Sequence, residues 1–500
     1  MLQKYSESHP DQKIYEESVI EEEGALFFMI RDQLESFLVI LSESKESLHS
    51  SFDHSPFEGE LNPLDNFTYL KCPKNRRNAQ SLRDRFPFTK AVLIGKENSY
   101  GLGDRLGNAG VAHLKSIRKT SFKPVLAQQS IRELQRTNRT AQEVMDAASW
   151  AVFQTGYRDG FGADGDHLKT EEDIDLMVDA GYTNFTIDPS EYVVNSAMEL
   201  SDDELRKAYE ELPWETLSTT AEAIIESYSD KDFQLSSGKI DKVSKKEVMS
   251  SMIKYGRVIT HTKKLAEYLK TKYPAHPSEL ELSVDETDEP TTPFEHYLIA
   301  SELTRLGVEL VSLAPRFCGD FEKGIDFKGD LEQFKREYKL HLAIAEEFGG
   351  YKLSIHSGSD KFSVYQAIGS INMGSVHVKT AGTSYLEALR TAAGADPGLF
   401  REILEYSKGR FEEDKKTYQI TGKPSDIPTD EELNDEDLAD LLNDDHARQV
   451  LHVTFGSILN GREPISSGFK ERLMHCLTLH EDLYEKNLET HFDKHLSPFF

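Results

Sequence analysis

The chain has 500 residues, 38% of them hydrophobic, and its 87 acidic against 58 basic side chains give a formal net charge of −29. No cluster of Lys and Arg offsets that excess, so binding to nucleic acid or to an anionic membrane is not expected. Cys72, Cys318 and Cys476 are widely spaced and odd in number, which argues against a disulfide framework and a Cys-based zinc knuckle. The opening MLQKYSESHPDQKIYEESVIEEEG lacks the basic-then-apolar order of a signal peptide. No apolar stretch approaches the roughly 20 residues needed to span a bilayer, so a cytoplasmic enzyme is expected.

In chain order, ALFFMI from Ala25 and SFLVIL from Ser36 predict a small sheet in an N-terminal flanking segment, 1–87. Eight short apolar runs follow: AVLIG from Ala91, PVLAQQ from Pro124, FGAD from Phe161, NFTID from Asn184, LELSVDE from Leu280, VELVSLA from Val308, YKLSIH from Tyr351 and SVHVKT from Ser375. They are strand-like in length, rich in β-branched and aromatic residues, and apolar without strict alternation, as parallel strands buried on both faces should be. Most precede a helical pattern, such as TAQEVMDAASWAVFQTG from Thr140 or TPFEHYLIASELTRLG from Thr292. Repeated strand-then-helix order predicts an α/β fold, and eight such units predict a (β/α)8 TIM-type barrel. A barrel needs roughly 250 residues. The catalytic barrel is therefore placed at 88–394, with a helical insertion at 190–278 after the fourth strand. A helical region, 395–500, follows it and is broken by the acidic loop IPTDEELNDEDLADLLNDDH.

In such a barrel the catalytic groups come from the C-terminal ends of the strands, where the βα loops converge on one cavity. Three of those ends carry a histidine: His167, His356 and His377. Neutral imidazole is a common ligand for Zn, Mn, Ni, Co and Fe, and three protein ligands leave positions open for a pair of substrate oxygens. A divalent metal ion on these histidines is therefore expected. The bland alternative for any one of them is a hydrogen-bonded structural residue, and the other histidines, including His296 and His341, read as surface or satisfied helix residues. Asp166 and Glu286 are expected to serve as general base and acid on opposite sides of a substrate. Neighbours in an extended segment point opposite ways, so Asp166 and His167 share a role only if the chain turns between them. The alternative for either carboxylate is to orient a ligand histidine.

GLGDRLG at Gly101 lacks the Lys-Ser/Thr of a Walker motif and the spacing of a dinucleotide fingerprint. Its glycines are read as a turn at the barrel mouth that points Arg105 into the cavity as an anion clamp. Gln128 and Gln129 after strand two suit a polyhydroxylated, negatively charged small molecule, and Arg316 and Lys379 after strands six and eight join them as expected substrate contacts. Arg132 reads equally well as an exposed residue at a helix start.

The phrases GLGDRLG, LAQQSIRE, FGADGDHLK, FTIDPS, SVDETDEPT, RFCGDFEKGIDFKGD, IHSGSDKFSVY and HVKTAGTSYLEA together resemble the tagaturonate epimerase family, also described as tagaturonate/fructuronate epimerases. The resemblance runs from about Val92 to Arg390, extends through FEEDKKTY and VLHVTFGSIL, and is weakest before Asp84. It implies a metal-dependent enzyme of hexuronate catabolism that interconverts D-tagaturonate and D-fructuronate, keto sugar acids differing only at carbon 4. It also implies His167, His356 and His377 as metal ligands, Asp166 as proton acceptor and Glu286 as proton donor.

The chemistry narrows the route. Carbon 4 lies two bonds from the carbon 2 ketone, so direct deprotonation there would leave an unstabilised carbanion. Retro-aldol cleavage between carbons 3 and 4, with Lewis-acid help from the metal, followed by aldol closure on the other face, avoids this. Transient oxidation by a nicotinamide is the rival, and no dinucleotide fingerprint supports it. Two other function classes fit less well. One is another metal-dependent sugar isomerase on the same barrel; the other is a non-catalytic carbohydrate-binding protein, which would have no reason to gather these carboxylates and histidines.

Overall fold

The N-terminal apolar stretches form antiparallel strands. In the computed structural model, which describes residues 1–43, 57–460 and 468–500, strands β1 (Lys13–Glu22), β2 (Ala25–Asp32), β3 (Glu35–Ser42), β4 (Glu60–Leu64) and β5 (Phe67–Pro73) build a five-stranded sheet in the order β1-β2-β3-β5-β4. Glu23 and Gly24 connect β1 to β2, both with positive φ (51° and 77°). That backbone matches the twist of a two-residue hairpin. Alternate residues of β2 and β3 enter two separate cores. Phe27, Met29, Leu38 and Ile40 pack with Trp150 and Phe153, while Phe28, Ile30, Val39 and Leu41 pack with Tyr5. Burial on both faces is why ALFFMI and SFLVIL carry no polar alternation.

The expected barrel is present. Strands β6 (Ser99–Leu102), β7 (Lys123–Ser130), β8 (Gly162–Leu168), β9 (Asn184–Ile187), β12 (Glu279–Val284), β13 (Ser312–Pro315), β14 (Lys352–Ile355) and β15 (Val376–Thr380) close in the order β12-β13-β14-β15-β6-β7-β8-β9. The pair β10 (Phe233–Gln234) and β11 (Lys239–Ile240) forms a separate small hairpin. One expectation needs correction: the first barrel strand is SYGL at Ser99–Leu102, not AVLIG at Ala91. Val92 and Leu93 are 40% and 49% exposed, and the backbone N–H groups of Ile94 and Gly95 donate to the Glu279 carboxylate at 2.9 and 2.8 Å. In β6 only Tyr100 and Leu102 are large and apolar, and the residue facing the barrel is Ser99, so a search for apolar runs passes over it.

Helices Asp202–Glu210, Ala221–Tyr228 and Lys245–Lys272 occupy the segment between β9 and β12. Ser201 with Glu204, and Ser244 with Glu247, form capping boxes that fix the starts of the first and last. Helices Pro397–Asp414, Asp445–Val453, Phe455–Asn460, Phe469–Leu479 and Glu481–Leu496 follow the barrel. The chain divides into two compact units. The first comprises Met1–Val92, Leu102–Ala163 and Ala381–Lys494; the second comprises Leu93–Gly101, Asp164–Thr380 and His495–Phe500. Among the described residues no helix is long and apolar enough to cross a membrane. Cys72, Cys318 and Cys476 are buried free thiols.

Several histidines outside the barrel interior are buried as neutral rings. His296 Nδ1 lies 2.9 Å from His341 Nδ1, and His296 Nε2 lies 2.7 Å from the Tyr351 hydroxyl. In the first unit His113 Nε2 lies 2.8 Å from Ser384 Oγ. Burial holds His341 and His113 down to about 4, and burial with the neighbouring His341 ring holds His296 well below its ordinary value. In the unfolded chain these rings take up protons near pH 6.5, which the folded chain refuses until lower pH. Their contribution to stability is therefore complete above about pH 6.5 and is lost as pH falls toward about 4, at roughly 1.4 kcal/mol per pH unit for each ring. We expect the apparent thermal midpoint to drop between pH 7 and pH 5, and to drop less steeply in His113→Gln. Equal slopes in the two proteins would show that His113 titrates alike when folded and unfolded.

Candidate active site

The interior of this barrel is polar. Interior layers of such barrels are usually filled by branched apolar side chains, yet Asp164, Thr186, Glu281, Ser312, Lys352, Ser354, His377 and Lys379 are all buried here. On β12 the sequence E-L-E-L-S-V-D alternates with period two, so Glu279, Glu281, Ser283 and Asp285 share one face. The same alternation puts Asp164 and Asp166 on one face of β8, and His377 and Lys379 on one face of β15. Gly165, between the two aspartates, sits against the helix Glu171–Asp179, and a Cβ there would lie 2.7 Å from Met177 Cγ.

The turn between Asp166 and His167 that the sequence reading required is present. His167 has φ +58°, and the β8–β9 register shifts by one residue between Gly165 and Leu168. This bulge re-aims the ring. As a result His167 Nδ1 lies 2.8 Å from Asp166 Oδ1. His356, the residue after β14, is anchored in a parallel way: its Nε2 lies 2.7 Å from Glu281 Oε1. Its Nδ1 is buried and lies 3.2 Å from Asp285 Oδ1. The His167 and His356 ring centroids are 5.2 Å apart. His167, Asp285 and His356 each offer a ligand atom, all within 4.8 Å of one another.

Lys379 lies among the carboxylates that meet these rings. Its Nζ is 2.7 Å from Asp164 Oδ2, 2.8 Å from Asp166 Oδ1 and 2.8 Å from Glu281 Oε1, and it donates to Thr186 Oγ1 at 2.7 Å. An ammonium has three N–H groups, so none remains for the substrate contact expected of Lys379. Burial alone would lower the lysine and raise its carboxylates, but mutual attraction wins for three of the four groups. Lys379 is held well above its ordinary value. Asp166 is held well below by His167 and Lys379, and Glu281 well below by Lys379 and His356. Asp164 has no imidazole partner, so its burial outweighs Lys379 and its pKa rises. Burial would also depress the two imidazoles. Asp166 instead raises His167, and Asp285 with Glu281 pushes His356 up to about 10.

The other expected site residues are placed as follows. His377 is not part of the His167–Asp285–His356 group. It pairs in register with Ser354, two residues and so roughly 6.6 Å deeper than His356. Its Nδ1 lies 2.9 Å from Ser99 Oγ, its Nε2 is buried without a partner, and burial lowers it to about 3. The Glu286 side chain is 48% exposed, with Oε1 4.0 Å from His167 Nε2. The Arg316 guanidinium donates to the Thr287 carbonyl. In the first unit, Arg105 is buried, paired with Glu133 at 3.1 Å and stacked 3.5 Å from the Phe455 ring centroid. Gln129 Nε2 donates to the Asp104 carbonyl at 3.1 Å, while both amide atoms of Gln128 are buried without a partner. Arg132 is exposed. Asp164, Glu281 and Asp285 carry no expected role, although the period-two acids of β12 and β8 mark all three.

A profile of the tagaturonate epimerase family matches residues 15–499. The chain belongs to the tagaturonate epimerase family. The tagaturonate/fructuronate epimerase of Thermotoga maritima is 40% identical over 484 residues, covering 97% of this chain and 96% of that protein. Crystal structures of the fructuronate-tagaturonate epimerase from Cohnella laeviribosi, native and with one glycerol bound, are 39% identical and superpose with TM-scores of 0.89 and 0.90, each covering 99% of this chain and 98% of the other. As a tagaturonate epimerase family member the protein is an enzyme of the isomerase type.

Proposed function

We propose that this epimerase interconverts D-tagaturonate and D-fructuronate by inverting carbon 4, in hexuronate catabolism, with a divalent metal ion held by His167, Asp285 and His356. The observation that carries the metal reading is the convergence of those three donors within 4.8 Å, together with the buried Nδ1 of His356 facing Asp285 Oδ1 at 3.2 Å. Two imidazoles and one carboxylate suit Mn, Fe, Co, Ni or Zn, and the carboxylates behind each ring fix its tautomer as ligand histidines require. Asp285 takes the place that the sequence reading gave to His377. A bound ion would supply Lewis-acid polarisation of the substrate ketone and a neighbouring hydroxyl. Three buried free thiols agree with a reducing, cytoplasmic setting.

In this reading Asp166 accepts the proton of the carbon 4 hydroxyl. Its contacts to His167 and Lys379 both fall on Oδ1, which leaves Oδ2 for the substrate. As that proton leaves, the bond between carbons 3 and 4 breaks. Its electron pair passes into the carbon 2 carbonyl, giving an enediolate and a three-carbon aldehyde. The aldehyde turns, the bond reforms on its other face, and Glu286 returns a proton to the new hydroxyl. Arg316, whose guanidinium has donors beyond the one on Thr287, is assigned to the substrate carboxylate.

Incubation of the metal-loaded enzyme with D-fructuronate in heavy water tests the substrate and the route together. The expected product is D-tagaturonate with its original hydrogen at carbon 4, since that hydrogen stays on the aldehyde. No conversion with any of the five metals would reject the substrate assignment, and deuterium at carbon 4 would reject cleavage. Asp166→Asn and Glu286→Gln should each lower turnover roughly 100-fold or more while keeping the ion; loss of the ion in either variant would move that carboxylate into the ligand set. In equilibrium dialysis His356→Ala and Asp285→Ala should lose Mn, and His377→Ala should retain it. With His356 pushed up to about 10, binding must displace a proton at neutral pH, so affinity should fall about tenfold for each unit of pH lowered. An affinity independent of pH between 6 and 8 would exclude His356 as a ligand.

A further inference from the structure

Each of the two candidate ligand histidines is held from behind by one carboxylate oxygen, and the same lysine holds both oxygens. Asp166 Oδ1 meets His167 Nδ1 and Lys379 Nζ, both at 2.8 Å. Glu281 Oε1 meets His356 Nε2 at 2.7 Å and Lys379 Nζ at 2.8 Å. The third carboxylate, Asp164, is fixed in turn by Asn184 Nδ2 and Thr186 Oγ1, each at 2.8 Å from its Oδ1. With the lysine removed, Asp164, Asp166, Glu281 and the Thr186 hydroxyl would form an oxygen-only nest below the two rings, and a hard divalent cation favours that kind of environment.

We propose that Lys379 is a positioning residue with two linked tasks. Its ammonium fills the oxygen nest as a built-in counter-cation, so that no metal settles there, and it fixes the two carboxylates that turn His167 and His356 toward Asp285. The lysine thereby sets which class of metal the chain takes: ions that accept nitrogen at the upper site rather than Mg or Ca in the nest. This rests on the metal reading above and adds to it a determinant of metal choice. The ammonium never touches substrate.

The test compares metal-free wild type with Lys379→Met by equilibrium dialysis against Co and, separately, against Mg. Wild type should bind one Co per chain and Mg weakly. Lys379→Met should bind Co about 10- to 100-fold more weakly, the usual cost of losing a group that orients ligand histidines. Its Mg binding should become tighter, and the visible bands of Co bound by imidazole should weaken. A purely structural role for the lysine would weaken both metals alike. Should Lys379→Met fail to fold, the double variant Lys379→Met/Asp164→Asn removes one charge of each sign from the nest and leaves both ring-orienting carboxylates in place. It should still lose Co affinity. Unchanged Co affinity with unchanged preference over Mg, in whichever of the two variants folds, overturns the inference while leaving the metal reading intact. A wild type that binds no Co overturns both.

Discussion

An ammonium group among three carboxylates, in the middle of a β-barrel, is the interaction on which the rest of this active face depends. Removing one member of a buried ion pair typically costs about 3–5 kcal/mol, because it leaves a charge with no compensation. The arrangement around Lys379 is tolerable only because the remaining lone pairs are also met. Thr186 and Asn184 donate to Asp164, Ser312 donates to Glu281, and the two imidazoles take up Asp166 and Glu281 from above. A partly satisfied polar network is worse than an apolar core. The barrel strands therefore supply small hydroxyls and an amide at the positions where a branched apolar residue would ordinarily stand.

The balance of charge explains why both upper imidazoles are raised. Counting only groups that touch one another, Asp164, Asp166, Glu281 and Asp285 carry four negative charges against the single ammonium. The excess pushes His356 up to about 10 and also raises His167. The same field that raises both rings would also attract a divalent ion able to displace their protons. His377 escapes this field because it lies deeper and beside Lys352 and Lys379 as well as Glu281, so burial prevails and its ring stays neutral.

Much of the fold was legible in the sequence because parallel strands buried on both faces read as short apolar runs, and seven of the eight expected runs overlap barrel strands. The first did not. AVLIG is apolar but lies outside the barrel strands, whereas SYGL has too little apolar character to stand out. The site was legible in part. His167 and His356 stand at strand ends and are brought together, but equivalence of sequence position hid the depth of His377, which lies inside β15. Asp285 was visible as a strand end without a role, because whether it or a histidine completes the group depends on register across β12 and β14. Lys379 was read as a substrate contact because a lone lysine after a strand looks free. Only the closed barrel shows that carboxylates from β8 and β12 converge on it.

Depth along the barrel axis then assigns roles to residues of similar chemistry. At the start of β12 the Glu279 carboxylate accepts the backbone N–H groups of Ile94 and Gly95, and on β14 Lys352 donates to Ser99 at 3.1 Å, which also meets His377. Two residues further along β12, Glu281 joins Asp164, Asp166 and Lys379 in the charge lock. Above that, Asp285, His356 and the bulged His167 form the donor group. Within β12 the same side-chain type at residues 279 and 281, with Asp at 285, does three different things, separated only by the rise of the strand between successive inward positions. The left-handed turn at His167 breaks that pattern. Without it His167 would point to the opposite face from Asp166, and the upper level would hold one imidazole instead of two. A barrel whose strands were all regular could carry the charge lock, but it would lack the pair of rings that converge with Asp285.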